Sequence, residues 1–372
     1  MIFRTRSMSW VIVAVSLIGN LSAAPGAEKI VLVAGGSEAA VDIPAVRAKL
    51  REPFGIDFDH SGVAYVVELS GQRVLKIENG VLKHVAGTGT AWTEAGQAGT
   101  AVETDHPGLQ AQFHGMHNLA VSPDNQVFLA DTWNQQVRLY DPKSGRVQTF
   151  AGTGAKGFAG DGGLAAKAQF GGIYCITLAA DQQRLFLADL DNRRIRAIDL
   201  KSKIVTTVAG NGQRGIPMEN SIAVDAPLAD PRAVTADRDG NVYVLERSGH
   251  ALRIVDRQGR IRTVVGTGKA GLAGDGGPGL TATLNGPKHL CLDRDGSIII
   301  ADTENHVIRR YLPKEDRIVR VAGTGKKGTA GIGGPPDQVE LNQPHGVTIG
   351  PDGSLYIVDS SNHRILKIER DQ

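Results

Sequence analysis

The sequence predicts an all-β fold: a six-bladed β-propeller whose blades are four-stranded antiparallel sheets. Three observations carry that prediction. A short phrase recurs six times, as VLVAGG at 31, KHVAGTG at 83, QTFAGTG at 148, TTVAGNG at 206, RTVVGTG at 262 and VRVAGTG at 319. A longer unit fills the spaces between its copies, clearest as PHGVTIGPDGSLYIVDSSNHRILKIE at 344–369. The first short phrase precedes any complete unit, and the last unit ends the chain without one.

Taken in chain order, the long units begin at 53, 116, 172, 231, 287 and 344. Each opens with a short apolar run, passes an Asp-Gly-like turn and continues as an alternating run ending in Asp or Glu. A polar turn and a second alternating run follow. These are strand signals joined by hairpin signals, and the short phrase supplies a fourth strand. A single four-stranded meander cannot bury both faces, whereas six arranged radially cover one another. The orphan strand from about Lys29 to Ala34 is expected to complete the last blade, closing the ring and removing an exposed edge.

The chain has 372 residues, 41% apolar and 22% charged, with a formal net charge of +2. That balance gives no reason to expect a nucleic-acid partner. The 47 glycines fit a protein of many tight turns. Residues 1–26 have the layout of an export signal: RTR at 4–6, the apolar run WVIVAVSLI at 10–18, then small residues. The expectation is a periplasmic or secreted chain, cleaved after Ala24 or slightly later, with 27–372 as one propeller domain and no membrane span thereafter. Cys175 and Cys291 fall in non-adjacent units, so two buried, unbridged thiols are expected.

Two crossover stretches, GAKGFAGDGGLAA at 154–166 and GKAGLAGDGGPGL at 268–280, look like phosphate-cradling loops. Such loops lead from a strand into a helix, and here the next element is a strand. A third copy at 325 has Ile332 where the others have Asp161 and Asp275. The aspartates are therefore read as acceptors of backbone hydrogen bonds in a surface loop. The Asp-x-x-Asn phrases at 189, 302 and 359 are read the same way, as turn-stabilising groups.

The repeated PHGV…PDGSLYIVDSSNHRI pattern resembles the NHL-repeat propellers, of the exported bacterial type, over essentially the whole mature chain. The resemblance implies the six-bladed fold. It leaves function open, because related propellers include amidating lyases, gluconolactonase-like hydrolases and interaction modules.

In a propeller, residues that start the inner strands ring one mouth of the central channel. Aligning the units puts Phe54, His117, Tyr174, Arg232, Lys288 and His345 in that ring. His289 follows one residue later, with its side chain expected on the other face of its strand. Two readings stand side by side: the ring plugs the channel, or it binds a ligand. Arg232 and Lys288 make the mouth basic, and the histidines are expected to add charge below about pH 6.5, so a small ligand would be an anion.

Resemblance to the amidating lyases implies zinc on the PH histidines of alternate blades. His117 and His345 match, but Arg232 holds the third place and zinc normally takes three protein ligands. Resemblance to the lactonases implies a calcium-like ion held by several oxygens, and Asp57 is the lone carboxylate nearby. No GxSxG elbow is present. The leading expectation is a non-catalytic monomer without a cofactor, binding a protein, peptide, glycan or small anion through His117, Tyr174, Arg232, Lys288, His289 and His345. The alternative is a metal-assisted lyase or lactonase, with zinc or calcium in the channel.

Overall fold

Each alternating run becomes a strand because its apolar positions face a neighbouring sheet. In the first unit the strands are Pro53–Phe58, Ala64–Glu68, Arg73–Glu78 and Val81–Ala86, paired in sequence order from the channel outwards. The computed structural model describes residues 28–37, 43–90 and 105–369. The expected export segment, 1–26, lies outside the described residues.

Six such sheets follow one another around a channel. The inner strands of blades 1 to 6 are Pro53–Phe58, Met116–Val121, Ile173–Leu178, Pro231–Ala236, His289–Leu292 and Gly346–Ile349. Each contacts the next, and the sixth contacts the first. The fold is the expected all-β, six-bladed propeller. Lys29–Gly35 pairs antiparallel with Arg364–Glu369 and supplies the outer strand of blade 6. Buried aliphatic side chains from facing sheets, such as Ile299, Ile308, Leu355 and Ile357 between blades 5 and 6, form the core. Each contributes about 1.5–3 kcal/mol by leaving water.

The blades carry more than four strands in places. Ile43–Pro44, Asp105–Pro107 and Ser221–Ile222 add a short fifth strand to blades 1, 2 and 4. Single bridges, Leu164 to Ile204 and Pro278 to Arg317, do the same for blades 3 and 5. In blade 6, Ile30 exchanges backbone hydrogen bonds with Gly333 and Gly334. Every crossover thus covers the outer edge of the blade it enters, which blunts strand-to-strand association.

The marker glycine ending each outer strand has a steric cause. Gly87 sits at φ +94° and Gly266 at φ +102°, and a Cβ there would collide with the carbonyl oxygens of Gln72 and His250. Only glycine permits that approach.

The second strand of every blade ends in a carboxylate with no solvent exposure: Glu68, Asp131, Asp189, Glu246, Asp302 and Asp359. Each accepts a backbone N–H from the segment entering its own inner strand, from Arg51, His114, Gly171, Ala229, Asn285 and Asn342. Each also faces an arginine of the third strand: Arg73, Arg138, Arg196, Arg253, Arg309 or Arg364. Burial pushes Asp131, Asp189 and Asp302 up to about 6, with the arginines opposing it. They remain ionised at neutral pH.

The turn reading of the Asp and Asn is corrected in part. Asn305 and Asn362 do bond Asp302 and Asp359 within the turn, but the backbone groups these residues satisfy lie in the crossovers: the N–H groups of Asn285 and Asn342 and the carbonyls of Gly271 and Gly328. The histidine does something further. Nδ1 of His250, His306 and His363 accepts the backbone N–H of Gly286, Gln343 and Glu52, each in the crossover entering the next blade. Gln72 accepts from Gly115 in the same way. The His363 contact spans the ring closure.

Asp161 and Asp275 are corrected in part. Asp161 does accept Thr207 N–H at 3.1 Å, but its principal partner is the guanidinium of the fully buried Arg196, at 3.0 and 2.6 Å. Asp275 likewise takes Arg309 at 2.9 and 2.8 Å, and Arg320. The sequence reading missed this because the arginines lie 34 to 35 residues away. Blade 6 manages without the aspartate: Arg364 reaches Asp359 at 2.7 Å and the carbonyls of Thr329 and Glu340. Asp161→Ala and Asp275→Ala are each expected to cost about 1–3 kcal/mol in urea unfolding, because each removes the shorter of two carboxylate contacts to a buried guanidinium, which keeps Asp189 or Asp302 and two backbone carbonyls. Ile332→Ala, at the matching place in blade 6, should stay within about 0.5 kcal/mol. Equal costs at all three positions would refute this account.

Candidate functional site

The mouth ring is built by the amide anchors just described. In all six blades the residue whose N–H binds the buried carboxylate lies three positions before the ring residue, as Arg51 does before Phe54 and Asn342 before His345. The structure brings Phe54, His117, Tyr174, Arg232 and His345 into one contiguous cluster. Phe54 stacks on His345 at 4.0 Å and meets His117 edge-on at 5.1 Å. His117 meets Tyr174 at 4.5 Å, and the Arg232 guanidinium lies 4.3 Å above the Tyr174 ring. Phe54, His117 and Arg232 are buried, while Tyr174, Lys288 and His345 are half-buried.

Charge in the ring is unevenly matched. Lys288 pairs with Glu304 at 2.9 Å, and Arg247 with Asp230 at 2.8 Å. Arg232 is only 5% exposed, and its Nε and Nη1 have no hydrogen-bond partner among the described residues. Burial lowers its pKa to about 10, so it stays charged at neutral pH. Its contact with Tyr174 is a cation–π interaction.

The histidines do not supply the extra charge expected of them. Burial, with Arg232 and Lys288 adding repulsion, holds His117 and His345 well below the ordinary histidine range. Nδ1 of His117 donates to Gly115 O at 2.7 Å, and Nδ1 of His345 donates to Gln343 O at 2.9 Å. Each therefore presents an unprotonated Nε2. Two such nitrogens beside a guanidinium do not fit zinc, which takes three protein ligands. No group of three or more His, Cys, Asp or Glu among the described residues is placed to hold a metal ion.

His289 is not part of the mouth cluster. It lies deeper, where a cavity of about 220 Å³ occupies the channel between inner strands, and its Nε2 stands 3.0 Å from Asn118 Nδ2. Cys175 is buried, with its thiol pushed up to about 11 by burial and its Sγ donating to Val234 O. Cys291 is half-buried and lines the cavity, so the expected second buried thiol is corrected: inner strands leave gaps at the axis. Neither cysteine forms a disulfide.

Asp57 also lines the cavity, and its two oxygens accept Phe58 N–H at 2.9 Å and Val121 N–H at 2.8 Å. With no cation bonded to it, burial pushes it up to about 6. One carboxylate so occupied does not fit a calcium-like ion.

Sequence reasoning missed Trp133, Arg247 and Glu304. All three occupy the variable positions of the turn between second and third strands, where the repeat is otherwise regular. Trp133 is 42% exposed and meets His117 at 5.6 Å and His114 at 5.0 Å. Departures from the consensus at those turns were the available signal.

An NHL repeat family model matches residues 341–368. The chain is 25% identical to NHL repeat-containing protein 2 of Gallus gallus over 348 residues, 85% of this chain and 46% of that one. It therefore spans less than half of that relative's length. Among solved structures it is similar to an auxiliary nutrient binding protein from Bacteroides ovatus, with a TM-score of 0.65 and 15% identity over 93% of this chain and 77% of that one. It is also similar to a gluconolactonase from Xanthomonas campestris, with a TM-score of 0.58 and 10% identity over 95% and 93%. At such identities the likeness shows the fold alone, and the neighbours include both binding proteins and enzymes.

The Asp57 environment has a measurable consequence. A folded-state pKa of about 6 against an ordinary 3.8 means the native state holds the proton more tightly between those values. The stability so gained is complete below about pH 4 and lost as pH rises through about 6. Asp57→Asn should remove that part of the pH dependence. In urea melts, wild-type stability relative to the variant should fall by about 2–3 kcal/mol from pH 4 to 7; a difference constant with pH would contradict the assignment.

Proposed function

We propose that the protein is a non-catalytic binding propeller that captures a carboxylate-bearing ligand, a peptide acid or a sugar acid, at the channel mouth. One observation carries this reading: Arg232 is buried and charged, with Nε and Nη1 unpartnered among the described residues, while both neighbouring cations are paired. A buried guanidinium is stabilised by a bidentate acid. The bare Nε2 atoms of His117 and His345 would accept an N–H or O–H next to that acid. Half-buried Tyr174, Lys288 and His345, together with exposed Trp133, would form the approach. The nutrient-binding neighbour supports the reading at the level of fold. The layout of residues 1–26 supports export to the periplasm or outside, where such a monomer would meet its ligand.

The test is calorimetric titration with N-acetyl-Ala-Ala acid, its C-terminal amide and D-gluconate. The acids should bind and the amide should not. Arg232→Ala should weaken acid binding about tenfold or more, and adding Lys288→Ala should abolish it. Because the mouth histidines stay neutral, affinity should change less than about twofold between about pH 7.5 and 5.5. Stoichiometric zinc or calcium in the purified protein, lost in the His117→Ala, His345→Ala variant, would overturn the proposal in favour of a metal-assisted lyase or lactonase.

A further inference from the structure

Below the mouth ring, the cavity of about 220 Å³ is lined by the inner strands of blades 1, 2, 3, 5 and 6. Asn118 and His289 meet there at 3.0 Å. They come from blades 2 and 5, which stand opposite one another in a ring of six.

Backbone amides dictate which atoms these side chains present. Asn118 Oδ1 accepts Ile176 N–H at 2.9 Å. Turning the amide over would set its NH₂ against that N–H, so Nδ2 must face His289. On the imidazole, Nδ1 accepts Val347 N–H at 3.3 Å and is therefore bare. Neutral histidine carries one ring proton, which falls on Nε2. Two donors consequently point at each other across the channel.

A neutral imidazole cannot accept at both nitrogens, so the protein alone leaves this pair unsatisfied. With the two side chains turned slightly apart, one acceptor atom in the cavity would take a hydrogen from each. The charge around it narrows what that acceptor belongs to. Among the described residues no Lys or Arg lines the cavity, and the one ionisable acid there, Asp57, disfavours an anion. Thr177 and Thr348, from the opposed blades 3 and 6, also line the cavity and carry hydroxyls. Asp57 retains lone pairs beyond its two backbone bonds.

We propose that this cavity is a binding site for a small uncharged polyol. One ligand oxygen accepts from Asn118 Nδ2 and His289 Nε2–H, while its remaining hydroxyls bond Thr177, Thr348 and Asp57. The site is distinct in place and ligand charge from the acid site at the mouth.

Two measurements test the proposal. Long-range ¹H–¹⁵N correlation of the wild-type protein should place the His289 proton on Nε2. Calorimetric titration of Arg232→Ala, which lacks the acid site at the mouth, should show binding of glycerol, erythritol or D-glucose and none of sodium acetate. In Asn118→Asp a carboxylate accepts from Ile176 N–H and His289 Nε2–H together, so the donors are satisfied internally. Polyol affinity should then fall about tenfold or more. His289→Gln, whose amide accepts from Val347 and donates inward, should keep affinity within about threefold of wild type. A His289 proton on Nδ1, absence of polyol binding, or unchanged affinity in Asn118→Asp would overturn the proposal. The tautomer measurement needs no variant to fold. Arg232→Ala affects acid binding at the mouth and Asn118→Asp affects polyol binding, so failure of one reading is separable from failure of the other.

Discussion

Six buried carboxylates organise this propeller. Each ends a second strand, lies out of water and faces a third-strand arginine. A carboxylate in that position is tolerable only when paired and hydrogen-bonded. One of its bonds always comes from the backbone three residues before the channel mouth. The ion pair inside each blade therefore sets where the crossover turns inwards, and so where the ring side chain stands. Repetition of that anchor makes the ring regular, even though its six side chains share no chemistry.

The blades are fastened to one another by a second device. The residue before each third strand is held in a left-handed conformation, as at Gln72, His250, His306 and His363. At these four positions the side chain accepts an N–H of the crossover entering the next blade, whereas Gln135 and Arg193, in blades 2 and 3, donate to the carbonyls of Trp133 and Gly212. Because the His363 contact joins the last blade to the first, closure rests on this bond as well as on the Lys29–Gly35 strand. The crossovers that deliver the ring residues are thus tied to the preceding blade by side-chain acceptors at four of the six junctions.

The channel has two chemically different levels. At the mouth, aromatic rings and neutral imidazoles surround one unmatched positive charge. One layer deeper, the lining loses its cations and carries amide, hydroxyl and a single carboxylate. Burial produces both characters: it keeps His117, His345 and His289 neutral, and it leaves the Arg232 charge without competition. A mouth read as increasingly basic at low pH instead has a charge set by one arginine.

Repeat number, strand order within each blade, the closing strand and the membership of the mouth ring were all legible in the sequence. They follow from local patterns, alternation and turn residues, whose meaning does not depend on distant partners. Glycine-rich crossovers were recognisable for the same reason. The Asp161–Arg196 pair, the Phe54–His345 stack, the Asn118–His289 confrontation and the neutrality of the histidines were decided only by tertiary structure. Each depends on which units stand beside or across from one another and on how much water the assembled ring excludes, and no single repeat contains that information.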